Sequence, residues 1–114
     1  MDWKEQFNEG QELVLATASK SSLPNANIVV SLGFVAEKLL VANCQMNQTI
    51  KNLTENNRIC VIGGYYRLKG TVEIFSSGEY FDLCQQKNAG YEGKSAILIT
   101  VDEIFDLNDL KVIR

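Results

Sequence analysis

The chain has 114 residues, of which 46% are hydrophobic and 22% are charged, and it carries a net charge of −3 with a pI near 4.9. This length and composition predict one globular domain over residues 1–114. The acidic balance excludes general binding to nucleic acid or to an anionic membrane surface, because both need a basic face. The absence of histidine excludes a His-based triad, a His-ligated metal and a histidine general base.

The three cysteines, Cys44, Cys60 and Cys84, are widely spaced and odd in number. None forms the C-x-x-C spacing of a zinc or redox site, so we expect free thiols in a reducing compartment, most simply the cytoplasm. The first ten residues are acidic and amphipathic, which excludes a signal peptide. No apolar run reaches the length needed to span a membrane.

The first half of the chain predicts one short helix and three strands. Asp2 caps a helix from Trp3 to about Asn8, and Gly10 ends it. Short segments rich in β-branched residues follow, separated by turn residues that include the only proline. These strands are "LVLATAS" (13–19), "NANIVVSLGF" (25–34) and "LLVAN" (39–43).

The second half predicts two helices and at least three strands. Thr49 precedes the helical segment "IKNLTENN", in which Ile50 and Leu53 recur at i, i+3. Ser77 is the predicted cap of a second helix whose buried face carries Tyr80, Leu83 and Cys84. The predicted strands are 58–64, 65–75 and 96–101, and the tail from residue 102 continues the last strand and then pairs at an edge.

Six strands joined by short loops, with two or three short helices, predict a mainly β fold: a small antiparallel barrel with peripheral helices. Segments such as "VIGG" and "AILITV" do not alternate cleanly between apolar and polar residues. A barrel accounts for them, because helices cover part of its outer face.

The stretch "LLVANCQMNQTIKNLTENN" places the end of a strand, a short loop and the start of a helix in succession. A helix N-terminus offers unpaired backbone N–H groups and the positive end of the helix dipole, both of which suit a phosphate. Thr49 or Asn47 is either an ordinary side-chain cap or a hydrogen-bond donor to a ligand oxygen. The spacing alone leaves both interpretations open.

From Leu13 to about Phe75 the sequence resembles the pyridoxamine 5'-phosphate oxidase-like proteins, the FMN-binding split-barrel family. "LATASKSSLPNANIVV" resembles the first hairpin of that family, and "LLVANCQMNQTIKNLTENNRICVIGG" resembles its strand, phosphate loop, helix and next strand. "RLKGTVEIF" resembles a long strand that carries a glycine, here Gly70, and "AILITVDEIFDL" resembles the final strand. About two thirds of the chain is covered well.

The resemblance implies a six-stranded antiparallel split β-barrel that forms a homodimer with FMN at the interface. The implied contacts come from the second strand, from the loop before the helix and, through the partner chain, from the start of the glycine-bearing strand. Carried over to this sequence, they are Asn27, Val29, Val30 and Ser31; Asn43, Cys44, Asn47, Gln48 and Thr49; and Tyr65 with Arg67.

The sequence departs from the family in its phosphate-binding residues. The arginines and lysines usual in the family are replaced by Asn27, Leu32, Gln48 and Thr49. Each lost charge-assisted hydrogen bond is worth roughly 1.5–3 kcal/mol, so two losses weaken phosphate binding by some 100-fold or more. The cations that remain as candidates to compensate are Lys51 and Arg58, together with Arg67 or Lys69 from the partner chain.

Two further alternatives stay open at this point. Cys44 either lies near a flavin edge or is a small packing residue. Tyr65 and Tyr66 either stack on a flavin ring or fill a dimer seam. The resemblance implies an FMN-dependent oxidoreductase that passes electrons or hydride between reduced nicotinamide and a small acceptor, with no catalytic side chain identified. The alternative is a split-barrel dimer that has lost FMN and serves as a ligand-binding or structural module.

Overall fold

The computed structural model describes residues 3–43, 46–88 and 93–114. A 3-10 helix, Trp3–Phe7, precedes the first strand. The strands are β1 (Glu12–Ala18), β2 (Pro24–Val30), β3 (Phe34–Val35), β4 (Lys38–Asn43), β5 (Arg58–Gly63), β6 (Tyr66–Phe75), β7 (Ser95–Asp106) and β8 (Lys111–Val112). The α-helices are α1 (Gln48–Glu55) and α2 (Glu79–Lys87).

The strands form one antiparallel sheet in the order β2-β1-β5-β6-β7-β4-β3, with β8 paired to β7. The longest strand, β7, pairs with β6 along most of its length, with β4 near its start and with β8 near its end. β2 pairs only with β1 along the described sheet, so one edge of β2 faces away from the ladder. That edge forms part of the candidate site.

Two apolar clusters explain why one sheet contains both strands whose burial alternates and strands that are buried on both faces. In β1, Leu13 and Leu15 alternate with less buried residues and point into the main core. In β7, residues 95–99 are all buried, because one face joins the main core while Ala96 and Leu98 pack beneath α2 with Cys84. A helix therefore does cover part of the outer face of the sheet, as the uneven pattern of "AILITV" predicted.

The predicted mainly β architecture is confirmed, with eight strands rather than six. The segment predicted as one strand over 25–34 is interrupted after Val30, and Gly33 adopts φ +89° at the turn into β3. The tail continues β7 to Asp106 and then pairs as β8, as predicted. Strands of two residues, such as β3 and β8, are too short for their alternation to be read from sequence.

Two predicted helix starts differ from the structure. Ser77 is not the cap of α2, because Gly78 occupies the N-cap position with φ +96° and no side-chain cap hydrogen bond is formed. α1 begins at Gln48, so Thr49 lies inside its first turn; the N-cap residue is Asn47, whose side chain makes no capping bond. The predicted cap Asp2 lies outside the described residues. Gly78 suits the N-cap position of α2 because glycine lacks a Cβ and adopts a positive φ without a steric penalty.

Gly70 marks an irregularity in the long β6–β7 ladder. The register shifts between Lys69, which faces Glu103, and Gly70, which faces Val101. A Cβ at Gly70 would overlap the carbonyl oxygen of Thr100. This position accepts glycine because the backbones of the two strands approach closely at the bulge. Within the described residues, no helix has the length and apolar character that a membrane crossing needs.

Candidate functional site

A groove of about 940 Å³ runs along the free edge of β2 and opens to solvent. One end lies at the first turn of α1, and the other lies between Glu9–Gly10 and the last turn of α2. Its volume is within the range of cofactor and small-molecule sites. The groove is lined by Glu9, Gly10, Asn25, Ala26, Asn27, Ile28, Val29, Val30, Ser31, Leu32, Ala42, Met46, Asn47, Gln48, Thr49, Lys87 and Asn88.

At the helix end, the hydroxyl of Thr49 joins α1 to β2. Thr49 Oγ1 donates to Asn27 Oδ1 at 2.7 Å and accepts from Asn25 Nδ2 at 3.1 Å. Thr49 is only 2% exposed, so this hydroxyl is committed to the two asparagines. Because Asn27 uses its carbonyl oxygen here, its Nδ2 group remains as the donor of that side chain.

A second pair of hydrogen bonds anchors α1 on the barrel. Gln48 Nε2 donates to Asn52 Oδ1 at 2.7 Å, and Asn52 Nδ2 donates to Thr17 Oγ1 of β1 at 3.1 Å. Asn52 is fully buried, so its polar side chain requires such partners. The first turn of α1 is thereby held at the groove by side chains from two neighbouring strands.

The backbone at this end retains hydrogen-bond donors. Lys51 is the first residue of the helix whose N–H reaches a helical carbonyl, that of Asn47, at 3.1 Å. Between described residues, the N–H groups of Gln48, Thr49 and Ile50 donate to no protein acceptor. Helix dipole and unpaired N–H groups together create a preference for an anion at this end.

The opposite end of the groove carries an ion pair that the sequence interpretation missed. Lys87 Nζ lies 2.7 Å from Glu9 Oε1, and the two side chains are 28% and 56% exposed. Lys87 is the one lysine or arginine among the described residues that line the groove. Lys51 and Arg58, which the sequence suggested as compensating cations, do not line it. Arg67 and Lys69 were suggested from the partner chain and do not line the groove of their own chain.

Between the two ends, the groove is largely apolar. Val29 is half-buried, while Ile28 and Val30 are 69% and 52% exposed. Ser31 is fully buried, and its hydroxyl donates to the carbonyl oxygen of Phe7 at 2.6 Å and accepts from the N–H of Gly33 at 2.9 Å. The hydroxyl of Ser31 thus shapes the groove by fixing the chain around it.

The remaining loop residues of the predicted set have different environments. Asn43 is 5% exposed; its Nδ2 donates to Ser95 Oγ and its Oδ1 accepts from the N–H of Met46, both at 2.9 Å. Asn43 therefore ties the loop before α1 to β4 and β7, and it does not line the groove. Cys44 lies outside the described residues.

Tyr65 and Arg67 lie away from the groove of their own chain. Tyr65, in the turn between β5 and β6, is 72% exposed. The guanidinium of Arg67 lies 4.6 Å from the ring centroid of Phe105, and its buried Nε has no hydrogen-bond partner among the described residues. Neither residue lines the groove along β2 of its own chain. The resemblance assigned both to the groove of a second subunit, and that assignment stays a prediction.

The outer face of the sheet carries a row of partly exposed apolar side chains. Strand pairing places them side by side from β2 across the sheet to β8, interrupted only by Arg67 on β6. We call this set the outer apolar row; it consists of Ile28, Val14, Ile62, Phe105 and Val112. Exposed apolar surface of this extent is typical of a protein–protein contact.

No cysteine is among the described residues that line the groove. Cys60 and Cys84 form no disulfide bond with a described residue. Burial raises the pKa of the Cys60 thiol, although Arg67 and Lys69 act in the opposite direction. Among the described residues, no three His, Cys, Asp or Glu side chains are grouped to hold a metal ion.

Comparison with known proteins agrees with the architecture. The family model described as pyridoxamine 5'-phosphate oxidase matches residues 2–108. The uncharacterized protein MJ0282 of Methanocaldococcus jannaschii is 31% identical over 111 residues, which cover 87% of this chain and 74% of that protein.

Two solved structures share the split-barrel fold. Group A Streptococcus HupZ has a TM-score of 0.84 at 23% identity and covers 97% of this chain and 95% of its own. A pyridoxamine 5'-phosphate oxidase-related, FMN-binding protein of Nostoc punctiforme has a TM-score of 0.65 at 14% identity, covering 85% and 74%. With the family match over most of its length, this chain belongs to the pyridoxamine 5'-phosphate oxidase family.

Proposed function

We propose that this chain forms a homodimer that binds FMN along β2 and acts as an oxidoreductase between reduced nicotinamide and a small acceptor. Membership of the pyridoxamine 5'-phosphate oxidase family supports the cofactor class. The FMN-binding protein of Nostoc punctiforme, which has the same fold, supports it further. The proposal includes one domain over residues 1–114, a cytoplasmic location, and neither nucleic-acid nor membrane partners.

The observation that carries the proposal is the set of donors at the start of α1. The N–H groups of residues 48–50 have no acceptor in the described part of the chain, and Asn27 has an amide group left over from its bond to Thr49. These neutral donors and the helix dipole suit a phosphate without a cationic side chain. The residues present therefore fit the phosphate group of FMN.

The middle of the groove fits a flat aromatic ring. Asn27 and Ser31 are four residues apart on an extended segment, a distance of about 13 Å. Between them lie Val29 and, on the other face of the strand, Ile28 and Val30. We propose that the ring system lies along this apolar edge while the phosphate occupies the helix end.

A second subunit completes the site in this proposal. The outer apolar row begins at Ile28, beside the groove, so a partner packed on that row also covers the groove. Tyr65 and Arg67 of the partner subunit are the proposed contacts from across the interface. The stacking of Arg67 on Phe105 keeps the guanidinium at this face of the sheet.

FMN, when bound, supplies the capacity to accept and release a hydride. The residues of this chain bind the phosphate, orient the ring along β2 and, with the partner, exclude water. The titratable side chains that line the described groove are Glu9 and Lys87, which pair with each other. We therefore assign the protein a role in orientation and electrostatics rather than in proton transfer by a catalytic side chain.

One observation favours a second candidate function. The single cation among the described lining residues, Lys87, is already paired with Glu9. A groove with so little net positive charge also suits a split-barrel dimer that has lost FMN and binds a neutral ligand or serves a structural role.

The test is a fluorescence titration of the purified protein with FMN and, separately, with riboflavin, which lacks the phosphate. We expect quenching of FMN at low micromolar protein and binding of riboflavin at least about 10-fold weaker, because the helix end contributes only to the phosphate. Unquenched FMN at high micromolar protein would reject the flavoprotein proposal and support the second candidate. Equal affinities would place the phosphate outside the helix end.

A further inference from the structure

The ion pair at the far end of the groove has a fixed position. Glu9 precedes Gly10, whose N–H donates to the carbonyl oxygen of Ser31 at 2.9 Å, and Ser31 donates back to Gln11 at 2.8 Å. Lys87 stands in the last turn of α2, which packs on the sheet through Cys84. Two separately anchored segments thus meet as an ion pair at the end of β2. The backbone of Ser31, to which Gly10 bonds, is about 13 Å along the extended chain from Asn27.

This location matters because the groove has different chemistry at its two ends. The α1 end offers neutral donors, whereas the α2 end offers an ammonium group and a carboxylate. A lysine in the last helical turn is favoured by the helix dipole, but Lys87 also bridges to Glu9, 78 residues away in sequence. A charge held at a cofactor groove changes the relative stability of ligand forms that differ in charge.

We infer that Lys87 is a specificity-determining cation that contacts the pyrimidine end of bound FMN and favours its reduced form. The carboxylate of Glu9 positions Lys87 and partly offsets the electrostatic effect of its ammonium group. This inference rests on the proposed FMN binding. An ammonium group pairs with the carbonyl oxygens of the pyrimidine ring and not with the methyl groups at the other end of the flavin. The phosphate at α1 and the pyrimidine end at Lys87 would then span the groove.

The electrostatic consequence follows from the charge of the reduced cofactor. FMN takes up two electrons and one proton, either as a hydride from reduced nicotinamide or as electrons from dithionite with a proton from water. The product carries one more negative charge, on its pyrimidine ring. A nearby ammonium stabilises that product more than oxidised FMN, and a nearby carboxylate does the opposite. Lys87 and Glu9 therefore act with opposite signs on the reduced form, although they form one ion pair.

This opposition separates an electrostatic role from a merely structural one. Lys87→Met should weaken binding of reduced FMN relative to oxidised FMN by about 3- to 10-fold, which lowers the midpoint potential. Glu9→Gln should shift the same ratio in the opposite direction, because it leaves the ammonium uncompensated. If the pair served only to hold the fold together, both substitutions would shift the ratio in the same direction or leave it unchanged.

The experiment measures two quantities for each variant: the dissociation constant of oxidised FMN by fluorescence quenching, and the midpoint potential by equilibration with a reference dye during stepwise reduction. Lys87→Arg keeps the charge and should preserve the ratio; it also provides a folded variant should Lys87→Met not fold. Lys38→Met is the matched control, because Lys38 pairs with Glu73 outside the groove, at 3.5 Å. Lys38→Met should leave the affinity for reduced FMN relative to oxidised FMN within about 2-fold of that of the unaltered protein.

Each outcome has a distinct meaning. Opposite shifts for Lys87→Met and Glu9→Gln, with no shift for Lys38→Met, support the inference. If both variants shift the ratio in the same direction, or if neither shifts it beyond the control, the inference is overturned. FMN binding by the unaltered protein, and with it the proposed function, is unaffected by that result. A loss in Lys87→Met that affects FMN but not riboflavin also overturns it, because the phosphate would then lie at this end. If the unaltered protein binds no FMN, the proposed function fails and this inference fails with it.

Discussion

The hydroxyl of Thr49 donates a hydrogen bond of 2.7 Å to the side-chain oxygen of Asn27, and this contact fixes the first turn of α1 against the edge strand. It also sets which end of the Asn27 amide is left for a ligand. Thr49 is therefore a positioning residue at the helix end of the groove, and Asn27 is the residue whose N–H groups reach the bound phosphate in our proposal.

The first prediction concerns Thr49→Val, which keeps the shape of the side chain but removes the hydroxyl. We expect FMN affinity to fall by about 10-fold and riboflavin affinity to fall less, because Asn27 loses its orientation toward the phosphate. Loss of the two hydrogen bonds should also lower the free energy of unfolding by about 1–3 kcal/mol. Fluorescence titration and urea denaturation measure the two effects.

Thr54→Val is the control for this change, because Thr54 is exposed on the same helix and its hydroxyl donates to the carbonyl oxygen of Ile50, outside the groove. It should alter neither affinity. Thr49→Ser restores a hydroxyl and should recover most of the FMN affinity. Equal losses for FMN and riboflavin in Thr49→Val would tell against any link between Thr49 and the phosphate.

The second prediction concerns Asn27→Asp, which replaces the donor amide with a carboxylate. Repulsion between this carboxylate and a phosphate dianion should weaken FMN by about 100-fold and riboflavin by much less. Asn57→Asp adds the same charge at an exposed residue outside the groove and should have no such effect. Equally tight binding of FMN by Asn27→Asp and Asn57→Asp would contradict the proposed contact between Asn27 and the phosphate.

The third prediction concerns the second subunit. Ile28→Asp places a charge in the outer apolar row at a position that is 69% exposed in the single chain. A buried unpaired carboxylate costs several kcal/mol, so we expect the dimer to dissociate at micromolar concentration, as measured by analytical ultracentrifugation without FMN. Leu110→Asp is the control, since Leu110 is 74% exposed but outside that row. A dimer that survives Ile28→Asp and dissociates in Leu110→Asp would point to a different interface.

The fourth prediction concerns the bulge opposite Gly70, where β7 carries one extra residue, Asp102, between the partners of Lys69 and Gly70. Gly70→Ala adds a Cβ that overlaps the carbonyl oxygen of Thr100, which belongs to the backbone and has little freedom to move. We expect a loss of about 2–3 kcal/mol in the free energy of unfolding, measured by urea denaturation. Lys69→Ala, at the neighbouring exposed position, should cost less than about 1 kcal/mol. Similar values for the two variants would show that the bulge tolerates a side chain.

Local sequence patterns predicted most of the fold. The apolar segments from Leu13 to Val101 lie in strands, and Tyr80, Leu83 and Cys84 do form the packed face of α2. The patterns did not predict Gly78 as the N-cap of α2. An N-cap that makes no side-chain hydrogen bond needs no polar residue by which the sequence would identify it. They also failed at Ser31–Gly33, where the break in the strand is set by hydrogen bonds to the distant segment near Phe7.

The candidate site was predictable only in part, for a physical reason. Asn27, Gln48 and Thr49 belong to segments that the resemblance covers, and the structure brings them together at one end of the groove. Lys87 was missed because its position depends on how α2 packs on the sheet and not on its neighbours in sequence. A lysine in the last turn of a helix is ordinary, and only the tertiary fold shows which surface it faces.

The arrangement of β7 has a consequence for how the chain is made. β7 lies between β6 and β4, so the two groups of strands on either side have no ladder connecting them until residues 95–106 are present. Ribosomal synthesis delivers those residues late, after both groups are complete. Nascent chains that stop short of β7 therefore display two additional unpaired edges, those of β6 and β4, and we expect them to depend on chaperones or to aggregate.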